Sequence, residues 1–103
     1  MTLFQQKVID ILKQGFTTGY AARDENGSSC GVNSKKAIAW CLYGAIQKAE
    51  YINPGNETTK QFDEYTAQVL DFVARETGKA MIADFNDTHT QKEVLEMLHQ
   101  AWA

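Results

Sequence analysis

Apolar residues recur at helical spacing in four stretches of this chain, and start and stop signals bound each one. The first stretch opens at Thr2, with Gln5 three residues on, the pattern of a capping box. Phe4, Val8, Ile11 and Leu12 then form one apolar stripe. Gly15 is the expected stop, since glycine tolerates the left-handed conformation that ends many helices. The second helix is expected from about 34 to 49, with Asn33 or Ser34 as its cap. Thr58 and Gln61 make a second capping-box pattern. Phe62, Val69 and Val73 follow on one face, with Tyr65 and Phe72 beside them, and Gly78 ends that helix. Thr90 and Glu93 open a fourth, whose apolar face is Val94, Leu98, Ala101 and Trp102, with Leu95 adjacent. Asn53-Pro54-Gly55-Asn56 reads as a turn. Residues 80–87, apolar and then abruptly polar, read as a short helical turn or an extended segment on the core.

Residues 16–33 lack this periodicity. Asn26-Gly27 is the strongest turn signal in the chain. It allows a small β-hairpin at 20–32, with Tyr20 to Arg23 as one strand and Ser29 to Val32 as the other. The expected fold is therefore mainly α: a single domain over residues 1–103, a compact bundle of about four helices around a central apolar one.

The central helix carries Ala37-Ile38-Ala39-Trp40-Cys41-Leu42-Tyr43-Gly44-Ala45-Ile46, ten residues with no charged side chain. A helix without a polar face is expected to be covered on most sides. Ala37, Cys41, Gly44 and Ala45 would make a stripe of small residues, and Ile38, Leu42 and Ile46 a bulky one. Trp40, Tyr43 and Gln47 would make a third, part-polar one. Glycine inside a helix costs about 1 kcal/mol against alanine. Gly44 therefore implies a close approach, by another helix or by a ligand walled by Trp40 or Tyr43. On this reading Cys41 lies about two turns inside the helix, where the helix dipole is mostly spent. It is then read as a small buried hydrophobe.

Composition narrows the function classes. The 103 residues are 44% hydrophobic with a net charge of -3, which suits one globular core. The basic residues are scattered, and Lys35-Lys36 is the sole doublet, so the clustered cations that nucleic-acid binding needs are missing. The longest apolar run is half a membrane span. The first residues, Met1 to Gln6, do not read as a secretory leader. The expected location is the cytoplasm, with no membrane partner, and Cys30 and Cys41 are expected as free thiols. The spacings of Cys30, Cys41, His89 and His99 match no common zinc pattern. No phosphate loop or nucleotide fingerprint is present, so neither a metal nor a cofactor is expected.

Three segments carry a resemblance. Gly19-Tyr20-Ala21-Ala22-Arg23-Asp24-Glu25-Asn26-Gly27 resembles a G-x-x-A-R-D-x-x-G stretch, and Ala37 to Ile46 an A-x-x-W-C-x-x-G-A-L segment. Phe85-Asn86-Asp87, with Glu93-Val94-Leu95 and Ala101, is similar to a W-N-D…V-L…A ending. All three belong to a small bacterial and phage family classed as a domain of unknown function. The resemblance runs from Phe16 to Ala101. Phe16 and Phe85 stand where that pattern has tryptophans, keeping the ring and losing the indole N–H. The resemblance implies a small helical domain, often encoded near mobile or phage genes, and no assigned activity.

The candidate site residues are Arg23, Asp24, Trp40, Tyr43, Asn86 and Asp87: polar pairs that could meet over an aromatic floor, as small-ligand sites do. Asp24 with Asn26-Gly27 also reads as turn chemistry, and Asn86 and Asp87 as caps or braces of a loop. His99 reads as a solvated residue on the last helix. The leading expectation is a non-enzymatic binding module for a small molecule or a protein partner, a homodimer included. The alternative is a thiol-dependent hydrolase or transferase with Cys41 as nucleophile, His89 as base and Asp87 or Asn86 as orienter. A purely structural phage accessory protein is a third reading.

Overall fold

Helix caps fix the two ends of the fold, and a strand pair fixes its middle. The computed structural model describes residues 2–52, 59–79 and 81–103. Its order is α1 (Leu3–Gln14), β1 (Ala22–Arg23), β2 (Ala39–Trp40), α2 (Leu42–Ile52), α3 (Thr59–Thr77), α4 (Ile82–Asp87) and α5 (Gln91–Ala101). The fold is mainly α, with five helices and one small antiparallel strand pair among the described residues. A radius of gyration of 12.8 Å is that of a single compact domain of this length. The turn at 53–56 and the cap at Thr58 lie outside the described residues, as does the side chain of Phe62.

Both capping boxes at the chain ends form. Thr2 Oγ1 accepts from Gln5 N–H, and Gln5 Oε1 accepts from Thr2 N–H. Thr90 and Glu93 repeat the exchange at α5. α1 then buries Phe4, Val8, Ile11 and Leu12 as expected, and Ile9 besides. α5 buries Val94, Met97 and Leu98. Trp102 follows, and its indole N–H donates to Tyr65 O at 3.2 Å. Phe4 stacks on Tyr65 at 5.5 Å and tilts against Trp102 at 6.4 Å, joining α1, α3 and α5. Val69 and Val73 of α3 are buried, Tyr65 and Phe72 pack on the core from the same helix, and Gly78, at φ 74°, ends it. Each such aliphatic or aromatic side chain contributes roughly 1.5–3 kcal/mol on burial.

The central helix differs from the sequence expectation. It begins at Leu42, not near 34, and runs to Ile52. Ser34 caps only a turn: Ala37 N–H donates to Ser34 O, and Lys36 N–H to Ser34 Oγ. The next residues are drawn into strand pairing. Ala22 pairs with Trp40 and Arg23 with Ala39. On its other side Trp40 bridges Phe16 in parallel, donating to Gly15 O at 3.0 Å and accepting from Thr17 N–H at 3.1 Å. The Ile38 N–H, the Trp40 N–H and C=O and the Cys41 N–H are satisfied this way, by Arg23 O, Gly15 O, Thr17 N–H and Ala21 O, and a helix through 37–40 would forfeit these bonds. Ile38 is consequently exposed, so the apolar run is not covered throughout.

The 20–32 hairpin is present as a smaller object. Gly27, at φ 77°, turns the chain, and Arg23 bridges Ser29. The second strand of the ladder proper is Ala39–Trp40, not Ser29–Val32.

Gly15 is also used otherwise than expected. Its φ of -177° is extended backbone, so no left-handed turn is involved. A Cβ there would overlap the Ile38 carbonyl oxygen. Gly44 has the same role: a Cβ would overlap the carbonyl oxygen of Ala21. At Gly44 the close neighbour of α2 is the backbone of Ala21, just before β1. Leu42, Ala45, Ile46 and Ala49 supply the buried face of α2, at the i, i+3, i+4, i+7 spacing of one helix side.

Candidate functional site

The strand pair ends where α2 begins, and that junction opens a cleft. Its volume is about 540 Å³, inside the range typical of small-molecule sites, ~300–1,000 Å³. Gly19, Tyr20 and Ala21 form one wall, and Met81, Ile82 and Ala83 of the α4 start form another. Thr66 and Leu70 of α3 close the far side. Cys41, Tyr43, Asn86 and Asp87 complete the lining. Tyr20, Tyr43, Leu70 and Met81 are large apolar residues exposed at 52%, 49%, 38% and 59%, so the rim is apolar.

Asn86 holds the junction together. Its side chain is wholly buried. Oδ1 accepts from Leu42 N–H at 2.9 Å, capping the first turn of α2. Nδ2 donates to Thr17 O at 3.1 Å and to Asp87 Oδ1 at 3.3 Å. Asp87 Oδ1 also accepts from Gly19 N–H at 3.0 Å. Gly19 has φ 82°, the left-handed region that favours glycine. One short helix thus pins both the strap before β1 and the start of α2.

Cys41 is not two turns inside the helix. It is the residue just before α2, and its Sγ accepts from Gly44 N–H at 3.3 Å, the position of an N-cap. The expected loss of the helix dipole there is therefore corrected: the thiol sits at the dipole's positive end. Burial nevertheless pushes the thiol above its ordinary range, and the Asp87 charge adds to that. The N–H groups of Gly44 and Tyr43 pull the other way without reversing it.

The remaining candidates lie apart from the cleft lining. Trp40 is 3% exposed, with its indole N–H on Val32 O at 3.0 Å and Lys48 Nζ 4.6 Å from its ring. Arg23 donates to Gly27 O and Thr18 O and lies over the Tyr20 ring at 4.5 Å. Asp24 Oδ1 accepts from Asn26 N–H and Ser28 N–H, bracing the hairpin turn. His89 stacks on Phe85 at 3.9 Å and holds Phe85 O through Nδ1 at 2.7 Å, away from the residues that line the cleft with Cys41. His99, on α5, is exposed. Sequence reasoning missed Tyr20, Leu70 and Met81. Their exposure is set by tertiary placement, which leaves no local signal.

Cys30 and Cys41 are free. Among the described residues no group of three or more His, Cys, Asp or Glu is arranged to hold a metal ion. Among them, too, no helix is long and apolar enough to cross a membrane.

No curated protein and no solved structure matches the chain. A family model does, over residues 6–103, which hold every residue of the cleft and all but the first turn of α1. The chain belongs to that family, DUF6197, described as a family of unknown function.

Proposed function

We propose that this chain is a non-enzymatic binding module whose cleft takes a small molecule with an apolar body. The observation that carries the reading is the cleft itself: about 540 Å³, rimmed by four exposed apolar side chains and floored by a few fixed polar groups. An apolar concavity with few convergent polar groups is the usual form of a small-ligand site. The motif resemblance supports a bacterial or phage origin. The free cysteines and the scattered basic residues support a cytoplasmic protein that meets neither membrane nor nucleic acid.

The test is a fragment screen followed by amide chemical shifts on labelled protein. Hits should perturb residues 19–21, 41–43 and 81–87. Ala83→Trp, at an exposed position on the wall, should fill the cleft and abolish them. Hits that map elsewhere, or that survive Ala83→Trp, defeat the reading. A concentration-dependent dimer that buries the rim would favour a second copy of the chain as partner.

One observation favours a second reading, a thiol-dependent hydrolase or transferase. Cys41 stands at a helix N-terminus and on the cleft, where reactive thiols are found. Its raised pKa opposes this, as does the engagement of His89 with Phe85. Peptide mapping after a thiol-reactive probe decides it: an unlabelled Cys41 in the folded protein ends the thiol mechanism.

A further inference from the structure

The geometry points to a charge preference in the cleft: its ligand is a protonated amine, with the ammonium at Asp87 Oδ2 and the apolar body among Tyr20, Tyr43, Leu70 and Met81. This rests on the small-molecule reading and names the class of molecule.

Among the described residues that line the cleft, Asp87 alone carries a formal charge at neutral pH. Half of its carboxylate is engaged, since Oδ1 accepts from Gly19 N–H and Asn86 Nδ2. Those two bonds hold the group in a fixed orientation. Oδ2 accepts no hydrogen bond from the described residues, and the side chain is exposed. A carboxylate oxygen fixed but unpaired at the edge of an apolar hollow is an acceptor waiting for a donor.

No cation of the chain fills that role among the described residues. Arg23, the cation nearest to the Gly19 turn, spends its guanidinium on Gly27 O and Thr18 O and on the Tyr20 ring. Arg75 is paired with Asp71 on the exposed face of α3. Anions meet the opposite situation. The first N–H groups of α2, which could have bound one, are already taken: Leu42 N–H by Asn86 Oδ1 and Gly44 N–H by Cys41 Sγ. The Asp87 charge then repels what remains. A neutral apolar molecule could enter but would leave Oδ2 to water. A protonated amine satisfies the apolar walls and gives the carboxylate a charge-assisted hydrogen bond that a neutral donor does not.

The experiment compares three probes of equal reach by amide chemical-shift titration at pH 7: 2-phenylethylamine, 2-phenylethanol and 3-phenylpropanoate. The amine should bind roughly five- to tenfold more tightly than the alcohol, between an exposed ion pair and a charge-assisted hydrogen bond in a drier site. The carboxylate should bind most weakly, and added salt should erode the amine's advantage. Asp87→Asn keeps an oxygen for Gly19 N–H, and should bring amine and alcohol to equal affinity. An amine that binds no better than the alcohol, with both shifting the cleft amides, overturns the charge preference and leaves the cleft reading standing. Failure of all three to shift those amides overturns both. Equal loss of all three in Asp87→Asn would give Asp87 a structural role alone and also overturn the preference.

Discussion

Gly44→Ala tests whether the backbone of Ala21 really sits against α2 at Gly44. Glycine to alanine inside a helix ordinarily stabilises, by up to about 1 kcal/mol. Here the added Cβ would overlap the Ala21 carbonyl oxygen and lie 2.8 Å from its carbonyl carbon and 3.2 Å from its Cα. All three are backbone atoms, so no side-chain rotation relieves the crowding. Residues 19–21 must move, and the Cys41 N–H to Ala21 O bond of 3.1 Å loosens with them. Overpacking costs about 1–3 kcal/mol, and the weakened hydrogen bond about 0.5–1.5 kcal/mol. Against the helix gain, the net is a destabilisation of about 2 kcal/mol. At roughly 4–8 °C per kcal/mol in a domain of this size, Tm should fall by roughly 8–16 °C. Urea unfolding followed by circular dichroism measures it directly, with an unchanged m-value marking an intact two-state transition. Gly31→Ala is the control. Nothing lies within 4 Å of its added Cβ, so it should be neutral or stabilise by about 0.4–1 kcal/mol. A Gly44→Ala protein as stable as the wild type would refute the packing described for α2.

Asn86→Ala leaves Leu42 N–H and Thr17 O without their partner and should cost about 2–4 kcal/mol in urea unfolding. Asn86→Asp keeps the acceptor for Leu42 but sets a second carboxyl beside Asp87. Its folded pKa should be raised, so its deficit against wild type should shrink as pH falls and grow as pH rises. The Glu93 carboxyl is held below the usual glutamate range, chiefly by the Thr90 N–H it accepts from. Its contribution is therefore full above that range and lost as pH falls through the lower folded value. Glu93→Gln should accordingly flatten the acid limb of the stability curve, and an unchanged limb would contradict the cap's role. Burial and the Asp87 charge raise the Cys41 thiol. Its alkylation in folded protein should thus require alkaline pH, and Asp87→Asn should move that profile to lower pH without abolishing the burial effect. The raised thiol also favours folding below its unfolded pKa, an advantage lost as pH rises through the folded value.

How much could be read in advance follows the range of the interactions involved. Thr2 with Gln5 and Thr90 with Glu93 act across three residues, and those helix starts were legible. The same holds for the turn at Asn26-Gly27. The start of α2 was not, because Ala37 to Trp40 have helical apolar character and are claimed by partners at Gly15 and Ala22–Arg23. Nothing local announces that competition. A thiol is also an uncommon cap, so Cys41 gave no start signal. Gly15 and Gly44 were noticed as glycines, yet what each accommodates lies over twenty residues away. In the cleft, Tyr43, Asn86 and Asp87 were singled out from their own segments. Tyr20 and Leu70 come from two others, Met81 from the start of the Asn86 segment, and they become a rim only when those segments meet.

The bonds made by Asn86 and Asp87 span 44, 68 and 69 residues of chain. Contacts of that separation close late in folding, because the entropy of the intervening loop is lost before they form. A chain emerging from the ribosome can assemble α1, the hairpin and α2 long before α4 exists, but it cannot build the cleft. The site thereby depends on α4: a product that stalls before Asp87 lacks one wall of the cleft and its carboxylate. The finished protein gains stability from any ligand it binds, by mass action on the native state alone.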